Sequence, residues 1–260
     1  MKYLLFLSVL FFTGYSYGSE PVYEINPVVD VPVTVVTGLT SLGLHLFSDY
    51  TSPEQCRWCS TFSPDEKVRS TLKWKDTDIS AVSSDLLLSS LVTATFSLGI
   101  FEKWGEGWKK QISDAILITE ILAVSTLLNG VTKRVVARQR PYVRNEDESG
   151  YDVDYYVSFY SGHTSTAFAM ATAATMIYGD KWLPQGVFAG IAFFSAATVG
   201  YLRIAADRHY LSDVVTGAVT GALTSWIILK LHKGKKEKKY SFYFSPLSGG
   251  GTIGGISGYF

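Results

Sequence analysis

Residues 198–217 read TVGYLRIAADRHYLSDVVTG, a short polar stretch between two of the most apolar parts of the chain. The charged residues of this stretch lie between Arg203 and Asp213. The run that precedes them, Trp182–Leu202, contains no charged residue, and the run that follows them, Val214–Leu229, contains none either. Runs of this length with many Ala, Gly, Ser and Thr residues are typical of helices that pack closely together. The stretch therefore predicts two neighbouring helices, over 185–203 and 212–231, joined by a loop that carries charged side chains.

The same kind of apolar run occurs four more times and predicts helices over 31–48, 80–101, 112–133 and 163–178. Alternating patterns typical of strands are almost absent before the last twenty residues. There, alternating aromatic residues and a glycine cluster are consistent with a short C-terminal β-hairpin, although we expect this tail to pack on the helices. The pattern as a whole predicts an all-α helical bundle.

The composition limits the classes of function. With 47% hydrophobic and 18% charged residues in a chain of 260, the sequence predicts one ordered domain with a sizeable core. Lys and Arg together number 23, the same as Asp and Glu, so there is no excess of positive charge for binding nucleic acid. We therefore expect no nucleic-acid partner.

The first residues are typical of an export signal. Lys2 supplies a positive charge, Tyr3–Phe12 an apolar stretch, and Ser16-Tyr-Gly18 a cleavage pattern of mostly small residues. An uncleaved anchor is the alternative. We predict four segments along the chain: a signal peptide over 1–18, an N-terminal helix and Cys-containing loop over 19–79, a core over 80–233, and a basic linker and tail over 234–260.

The only two cysteines, Cys56 and Cys59, lie close together in the N-terminal segment. No βαβ pattern surrounds them, which argues against a site of thiol exchange. In an exported protein such a pair is expected to form a local disulfide that closes a surface loop.

The predicted helices raise the question of a membrane, since a spanning helix requires about 20 predominantly apolar residues. If the 31–48 helix stays outside and the other five span, the Lys-rich segment 230–239 lies in the cytoplasm, as the positive-inside rule favours. The same arrangement places the polar motifs described below on the periplasmic side. We expect a multi-pass membrane protein of the cell envelope, with a soluble periplasmic protein as the alternative.

The first motif, Lys133-Arg-Val-Val-Ala-Arg-Gln-Arg140-Pro141, holds two cations seven residues apart. Seven residues make two helical turns, so Lys133 and Arg140 are expected to project from one helix face, near the point where Pro141 ends the helix. Taken alone, the two cations would be explained better by a solvated surface stripe.

The second motif, Ser161-Gly162-His163, precedes a run rich in Ala and Thr. Ser161 is placed as a helix N-cap, and Gly162 allows the backbone to approach a ligand closely. The free amides at a helix N-terminus bind phosphate, and His163 can transfer a proton there. By itself, the motif would be explained equally well by a capped helix start.

The third motif lies in the stretch quoted first. His209 and Asp213 are four residues apart, one helical turn, so the carboxylate can hold one imidazole nitrogen. That contact would fix the tautomer and leave the other nitrogen free to attack a substrate. Taken alone, a buried His–Asp pair with a structural role is an equally good interpretation.

Together the three motifs resemble the signatures of the type 2 phosphatidic acid phosphatase and vanadium haloperoxidase superfamily. The family pattern is Lys-x6-Arg-Pro, then Pro-Ser-Gly-His, then Ser-Arg-x5-His-x3-Asp. Order and spacing hold here, and the resemblance covers about residues 80–231. Two positions depart from the pattern, because Tyr160 replaces the usual Pro and Leu202 the usual Ser. The resemblance implies the helical bundle of that superfamily.

The resemblance also implies a role for each matching residue. The phosphate oxygens would be held by a binding set made of Lys133, Arg140, Ser161, Gly162 and Arg203. His209 would attack phosphorus to form a phosphohistidine, His163 would protonate the leaving alcohol, and Asp213 would orient His209. We expect no metal or cofactor at this site, because the three cations neutralise the charge of the transferred group.

The function implied is a phosphatase acting on phosphate monoesters or pyrophosphates. The apolar helices favour a phosphorylated lipid over a small soluble phosphoester. Three alternatives stay open: a vanadate-dependent haloperoxidase, a soluble non-specific acid phosphatase, and a non-catalytic envelope protein that binds lipid phosphate. The acidic loop over 143–157 is expected to be a solvated connector.

Overall fold

The computed structural model describes residues 23–102, 108–145, 152–179, 183–234, 240–247 and 251–258. Six long helices dominate these residues: α1 (Pro27–Leu46), α4 (Thr77–Glu102), α5 (Trp108–Val136), α6 (Gly162–Tyr178), α7 (Gln185–Ala205) and α8 (Leu211–Leu231). Two short helices, α2 (Ser48–Thr51) and α3 (Ser63–Leu72), and a 3-10 turn over Tyr142–Asn145 lie between them. The six predicted helices and the all-α class are confirmed. The two short helices were not predicted, because neither carries an apolar run.

The long helices alternate in direction, so their ends gather at two places. At the site end, α5 and α7 finish while α6 and α8 begin, and all three polar motifs lie there. At the far end, α8 finishes where α1 begins. Here the Glu24 amide donates to the His232 carbonyl at 2.9 Å, and the Tyr23 hydroxyl donates to the Met176 carbonyl at 3.3 Å.

Close packing of α8 against α6 depends on two glycines. A Cβ atom on Gly221 would lie 2.0 Å from the Ser165 carbonyl oxygen, and one on Gly217 would lie 2.6 Å from the Ser161 carbonyl oxygen. No side chain fits at such distances, so the two backbones touch directly. As predicted from the sequence, small residues allow these two helices to pack closely, and they bring the start of α8 beside the start of α6.

The outer surface of the bundle is apolar. Five helices are long and apolar enough to cross a membrane: Pro27–Leu46, Thr77–Ile100, Gln111–Val136, Gln185–Ala205 and Leu211–Leu231. Large side chains such as Phe194, 76% exposed, and Leu86, 65% exposed, point away from the protein. Side chains of this kind suit contact with lipid. The chain is a multi-pass membrane protein.

The apolar surface of α1 bears on the prediction that the first helix stays outside the membrane. That prediction rested on the positive-inside rule, applied to the Lys-rich segment 230–239. The helix α1 is nevertheless about as apolar as the other four candidate membrane helices. It packs along α5, and its outward face carries Val28, Val36 and Leu39, each more than half exposed. Whether α1 spans the membrane affects which side of the membrane the site end faces.

At the C-terminus, β1 (Tyr240–Leu247) and β2 (Gly251–Gly258) pair antiparallel, with Tyr240 opposite Gly258. They belong to a different compact unit from Tyr23–Lys233 and are described by themselves. The predicted signal peptide lies outside the described residues. The segment boundaries predicted from the sequence stay predictions.

Candidate active site

The loop that carries His209 is fixed by α3, an element the sequence analysis missed. Asp207 adopts a positive φ of 55°, a left-handed conformation that Asp tolerates better than most residues. Its buried carboxylate accepts hydrogen bonds from Arg69 at 2.6 and 2.8 Å and from the Lys73 ammonium at 2.7 Å. Because α3 holds the turn from outside, His209 is positioned by the whole fold. The imidazole is 1% exposed.

The carboxylate of Asp213 is fully buried and saturated with donors. Ser158 Oγ donates to it at 2.6 Å, the Tyr210 amide at 2.9 Å, and the guanidinium of Arg138 completes the set. His209 Nδ1 lies 3.7 Å from Asp213 Oδ2, beyond hydrogen-bond range. The predicted neighbours are therefore together, but the predicted hydrogen bond between them is not formed in this structure.

Arg138 was not singled out from the sequence, although it lies inside the first motif. It is completely buried and bridges two carboxylates, because Nη2 donates to Asp65 at 2.7 Å while Nη1 contacts Asp213. Its guanidinium lies between the rings of Trp58, at 4.0 Å, and Tyr210, at 4.4 Å. Cation–π contacts of this kind hold an arginine plane in one orientation. Arg138 therefore fixes the carboxylate that faces His209.

The Trp58 side of this contact comes from the disulfide loop. Cys56 and Cys59 form the predicted disulfide. Between them, Trp58 accepts a backbone hydrogen bond from Gln139 at 3.2 Å, and its ring packs at 5.3 Å from that of Phe159. The disulfide loop thus covers the buried Arg138 and belongs to the site end.

The first motif reaches the site in a different way from the one predicted. Helix α5 ends at Val136, so Lys133 lies in its last turn while Arg140 lies in the following loop. The prediction that the two cations share one helix face is therefore wrong, because a residue beyond the helix end does not follow the helical period. Arg140 is instead held by the loop over 152–155. Its Nε donates to the Asp154 carbonyl at 2.8 Å, and its amide donates to the Tyr155 carbonyl at 2.9 Å.

That contact also concerns the acidic loop. The carboxylate of Asp154 lies 3.4 Å from Arg140 Nη2, so one acidic side chain of the loop faces a cation of the phosphate-binding set. Glu146, Asp147 and Glu148 lie outside the described residues. Asp154 is exposed, as expected for a solvated connector, and it also contacts Arg140.

The second motif forms the N-terminus of α6 as predicted. Ser161 is the N-cap, and its Oγ accepts hydrogen bonds from the Thr164 hydroxyl at 2.9 Å and from the Thr164 amide at 3.4 Å. Gly162 is required by a close neighbour, since a Cβ there would lie 2.7 Å from Asn129 Oδ1. Asn129 in turn donates to the Tyr160 carbonyl at 2.7 Å and so ties α5 to this turn.

Two further predicted residues meet at a carboxylate that the sequence analysis missed. His163 Nε2 lies 2.7 Å from Asp85 Oδ1, and Arg203 Nη1 lies 3.4 Å from the same oxygen. Arg203 also donates to Ser84 Oγ at 3.1 Å. Asp85 could have been found from the sequence, because a charged residue within an apolar helix is costly and often functional.

The electrostatic environment of His209 ties the motifs together. Burial, and after it the positive charges of Arg140, Arg203 and Lys133 with a smaller contribution from His163, lowers the pKa of His209 well below its ordinary value. The imidazole is therefore neutral at neutral pH and keeps a lone pair for attack.

The arrangement as a whole suits a phosphate group. Lys133 in the last turn of α5, Arg140 in the loop after it and Arg203 near the end of α7 lie at the end of the bundle where α6 begins, together with His163 of α6 and His209 of the loop before α8. Such a set can stabilise a trigonal bipyramidal phosphorus by charge and hydrogen bonds, with one imidazole neutral as a nucleophile. Among the described residues at the site end, no group of carboxylates and imidazoles meets the spacing of a metal site.

Known proteins resemble this chain in sequence and in fold. The sequence profile of the PAP2 superfamily matches residues 114–237, which include all eight predicted site residues. A segment of 66 residues is 44% identical to the lipid A 1-phosphatase of Porphyromonas gingivalis, and it covers 25% of this chain but only 14% of that relative.

Two solved structures are similar. A transmembrane PAP2-type phosphatidylglycerolphosphate phosphatase from Bacillus subtilis superposes with a TM-score of 0.51 at 19% identity, over 80% of this chain and 98% of that one. LpxE of Aquifex aeolicus gives a TM-score of 0.45 at 24% identity, over 65% of this chain and 96% of that one. The first likeness supports the fold alone. The profile match covers the segment that holds all three motifs and confirms the resemblance to the PAP2 superfamily predicted from the sequence.

Proposed function

We propose that this chain is a membrane phosphatase that removes phosphate from a phosphorylated lipid through a phosphohistidine intermediate. The observation that carries the proposal is that His209, buried and with its pKa lowered by burial and nearby positive charge, lies at the end of the bundle that also holds Lys133, Arg140 and Arg203. A protein that only binds lipid phosphate has no use for a neutral imidazole under three cations. The PAP2 profile over the same residues supports the same chemistry.

In the proposed first step, a nitrogen of neutral His209 attacks phosphorus, and the bond from phosphorus to the lipid oxygen breaks. The leaving oxygen takes a proton from His163, which stands at the start of α6. The positive charge that forms on His209 is stabilised by Asp213, 3.7 Å from Nδ1. Water then attacks phosphorus while His163 accepts its proton, and the bond from phosphorus to the His209 nitrogen breaks, which releases inorganic phosphate and restores neutral His209.

Asp85 extends this mechanism beyond the residues named from the sequence. Its carboxylate lies 2.7 Å from His163 Nε2 and can orient the imidazole. It also contacts Arg203, which belongs to the phosphate-binding set. Phosphate and Asp85 therefore compete for the same cation, and Asp85 is a positioning residue for the proton donor.

A lipid is proposed as the substrate because the site lies at one end of an apolar bundle. The helices that deliver the site residues carry large apolar side chains on their outer faces, so a lipid can reach the site from the membrane. The related segment of the Porphyromonas gingivalis lipid A 1-phosphatase supports this choice.

We further propose that the site end faces the periplasm. The disulfide Cys56–Cys59 belongs to the site end, and disulfides form in oxidising compartments. Lys230 and Lys233 lie at the opposite end, which the positive-inside rule then favours for the cytoplasm.

This orientation constrains the beginning of the chain. Tyr23 forms a bridge with Lys233 at the far end, and α1 runs from there to the site end beside α5. If α1 spans the membrane, Tyr23 lies in the cytoplasm. Removal of a signal peptide on the outer side would leave Tyr23 in the periplasm. The site end, at the opposite end of α1, would then lie in the cytoplasm. We propose the periplasmic site, and with it an uncleaved N-terminal segment.

Thiol labelling of spheroplasts tests the orientation. A cysteine at Asp49, exposed at the site end, should react with a membrane-impermeant maleimide, while a cysteine at Glu24, exposed at the far end, should react only after permeabilisation. The reverse pattern would place the site in the cytoplasm and overturn this part of the proposal.

Phosphate release from purified protein, with a panel of phosphorylated lipids and soluble phosphoesters, tests the function. We expect turnover of at least one lipid, its loss in His209→Ala, and acid-labile phosphate trapped on the wild type. Asp49→Asn, an exposed substitution away from the motifs, serves as the control and should retain activity. Because the chemistry uses no metal, turnover should continue in chelator below the unfolding temperature. Halide oxidation with added vanadate, and no phosphate release, would favour a haloperoxidase instead.

A further inference from the structure

A second group of buried ionisable side chains lies at the far end, away from the active site. Asp30 near the start of α1, Glu120 in α5 and His232 just after α8 form this far-end cluster. Their side chains are only 8%, 9% and 12% exposed. One potential ligand atom from each residue lies within 4.8 Å of the others.

The hydrogen bonds around the far-end cluster leave three atoms directed at one another. His232 Nδ1 donates to the Ile228 carbonyl at 2.8 Å, so the neutral imidazole presents the lone pair of Nε2. Asp30 Oδ2 accepts from the Asn26 amide at 2.6 Å, which leaves Oδ1 for the cluster. Each ligand atom is thus oriented by a bond made elsewhere on its residue.

The third atom, Glu120 Oε2, is buried and has no hydrogen-bond partner among the described residues. A buried carboxylate oxygen without a donor is costly, and more so within a helix that can cross a membrane. Two carboxylates face a single imidazole here. A divalent cation would neutralise both and give Oε2 the partner it lacks.

Two of the three spacings match a tetrahedral ion, and the third is within 4.8 Å. Nε2 lies 3.3 Å from Asp30 Oδ1 and 3.6 Å from Glu120 Oε2. Two ligands bound to Zn²⁺ at 2.0–2.1 Å in tetrahedral geometry are about 3.4 Å apart. One imidazole nitrogen and two carboxylate oxygens are ligands that Zn²⁺ accepts, with water able to fill the fourth position.

We propose that the far-end cluster binds one Zn²⁺ ion, which links α1 to α5 and α8. The ion is structural, because the site end and its imidazoles lie at the other end of the same helices. It would join the first helix to the two helices that supply Lys133 and Asp213. The rival occupant is a proton, which would turn His232 into an imidazolium paired with both carboxylates.

Zinc titration of the full-length protein in detergent distinguishes these occupants. The protein is purified with a tag other than polyhistidine, stripped with chelator, and tested for bound zinc and for thermal unfolding. We expect one zinc ion per chain and a rise in Tm on adding zinc. Loss of a direct ligand in Glu120→Gln should weaken binding about tenfold or more, since loss of even an outer-shell partner commonly has that effect. The same substitution should remove the rise in Tm.

Two further variants guard the result. Asp30→Asn should repeat the loss independently, in case Glu120→Gln fails to fold as judged by its helical circular dichroism. Asp49→Asn removes an exposed carboxylate at the site end and should bind zinc like the wild type. The proposal is overturned if the wild type binds no zinc, or if Glu120→Gln and Asp30→Asn bind it as well as the wild type. Phosphatase activity is not a readout here, so failure would leave the proposed function untouched.

Discussion

The two ends of the bundle both bury carboxylates, but they compensate them differently. At the site end, Arg138 lies between Asp213 and Asp65, and Arg69 holds Asp207 with two hydrogen bonds. Guanidinium groups are always charged and match carboxylates in shape, so these anions are satisfied within the protein. At the far end, two carboxylates share one imidazole and an oxygen is left over.

The difference indicates what each end is built to receive. A phosphatase site must keep its cations available for an anionic substrate, so its buried carboxylates are matched by arginines outside the phosphate-binding set, and only the more exposed Asp85 and Asp154 contact Arg203 and Arg140. A cluster with too few positive groups is instead suited to a cation. The predictions below test this contrast, beginning with the largest expected effect.

Arg138→Met should have the largest effect, because it leaves two buried carboxylates without their shared cation. Breaking a buried ion pair by removing one partner destabilises a protein by about 3–5 kcal/mol. We expect a loss of this size in the free energy of unfolding, together with lost turnover, since Asp213 would no longer be fixed. Lys230→Met, an exposed cation at the far end, provides the control. Equal stability of the two variants would contradict the matched network.

Loss of the disulfide should have the next largest effect. Cys56 and Cys59 close a very short loop, for which chain entropy accounts for about 2 kcal/mol. The double substitution Cys56→Ser with Cys59→Ser should lower the free energy of unfolding by that amount and reduce turnover, because Trp58 covers Arg138. Reduction of the wild type should reproduce the change, and the double variant should no longer respond to reductant. An unchanged Tm in the variant would remove the disulfide from the support of the site.

The pH dependence should reveal the burial of neutral His209. Its pKa is lowered in the folded protein, so the unfolded chain binds the additional proton as pH falls below the ordinary value of 6.5. This contribution to stability is fully present above pH 6.5 and declines below it, by at most about 1.4 kcal/mol per pH unit. The decline should be smaller in His209→Gln, which does not titrate. A decline of the same slope in both proteins would assign it to other groups.

The lowered pKa of His209 also predicts how activity depends on pH. Since His209 stays neutral in the folded protein, kcat/KM should not fall at the ordinary imidazole pKa but only at lower pH. An acid limb at about pH 6.5 would contradict a neutral, buried nucleophile.

Asp85→Asn should change phosphate binding modestly. The carboxylate is half-exposed and contacts Arg203 at 3.4 Å, and an exposed ion pair contributes about 0.2–1 kcal/mol. Without the competing charge, phosphate or vanadate should bind a few-fold more tightly, while kcat should fall because His163 loses its partner. Asp78→Asn, near the start of the same helix, is the matched control. Weaker vanadate binding by Asp85→Asn would show that Asp85 does not compete for the cation.

The smallest effect is expected for Glu120→Gln in protein stripped of metal. One carboxylate oxygen of this residue has no donor, so removing its charge should leave the free energy of unfolding nearly unchanged or slightly higher. The change in the free energy of unfolding should therefore be much smaller than in Arg138→Met. A large destabilisation would mean that the far-end cluster is already compensated by a proton on His232.

Much of the architecture could be predicted from the sequence. Apolar runs fixed the six long helices to within a few residues, because a helix crossing an apolar layer has to be both long and continuous. The three motifs were found by the spacing of rare residue types, and Ser161 occupies the N-cap it was assigned. The prediction that Lys133 and Arg140 share a helix face was wrong, because α5 ends at Val136, close to the end of the apolar run and four residues before Arg140.

Partners distant along the chain could not be predicted. Asp65 and Arg69 lie in a short polar helix with no periodic signal, yet they hold Arg138 and Asp207. Asp85 gave a usable signal, as a charge inside an apolar helix. Asp30, Glu120 and His232 were invisible as a group, because each lies in a different part of the sequence.

The sequence by itself determined the helices, the resemblance to a known superfamily and the residue types that carry the proposed chemistry, because length, periodicity and local spacing are properties of the chain alone. Only the tertiary structure decided which charges are compensated, how the His209 loop is held, and where an unpartnered carboxylate oxygen is left. The physical reason is that the free energy of a buried charge depends on the groups within a few ångströms of it. Those groups come from distant segments, and folding alone brings them together.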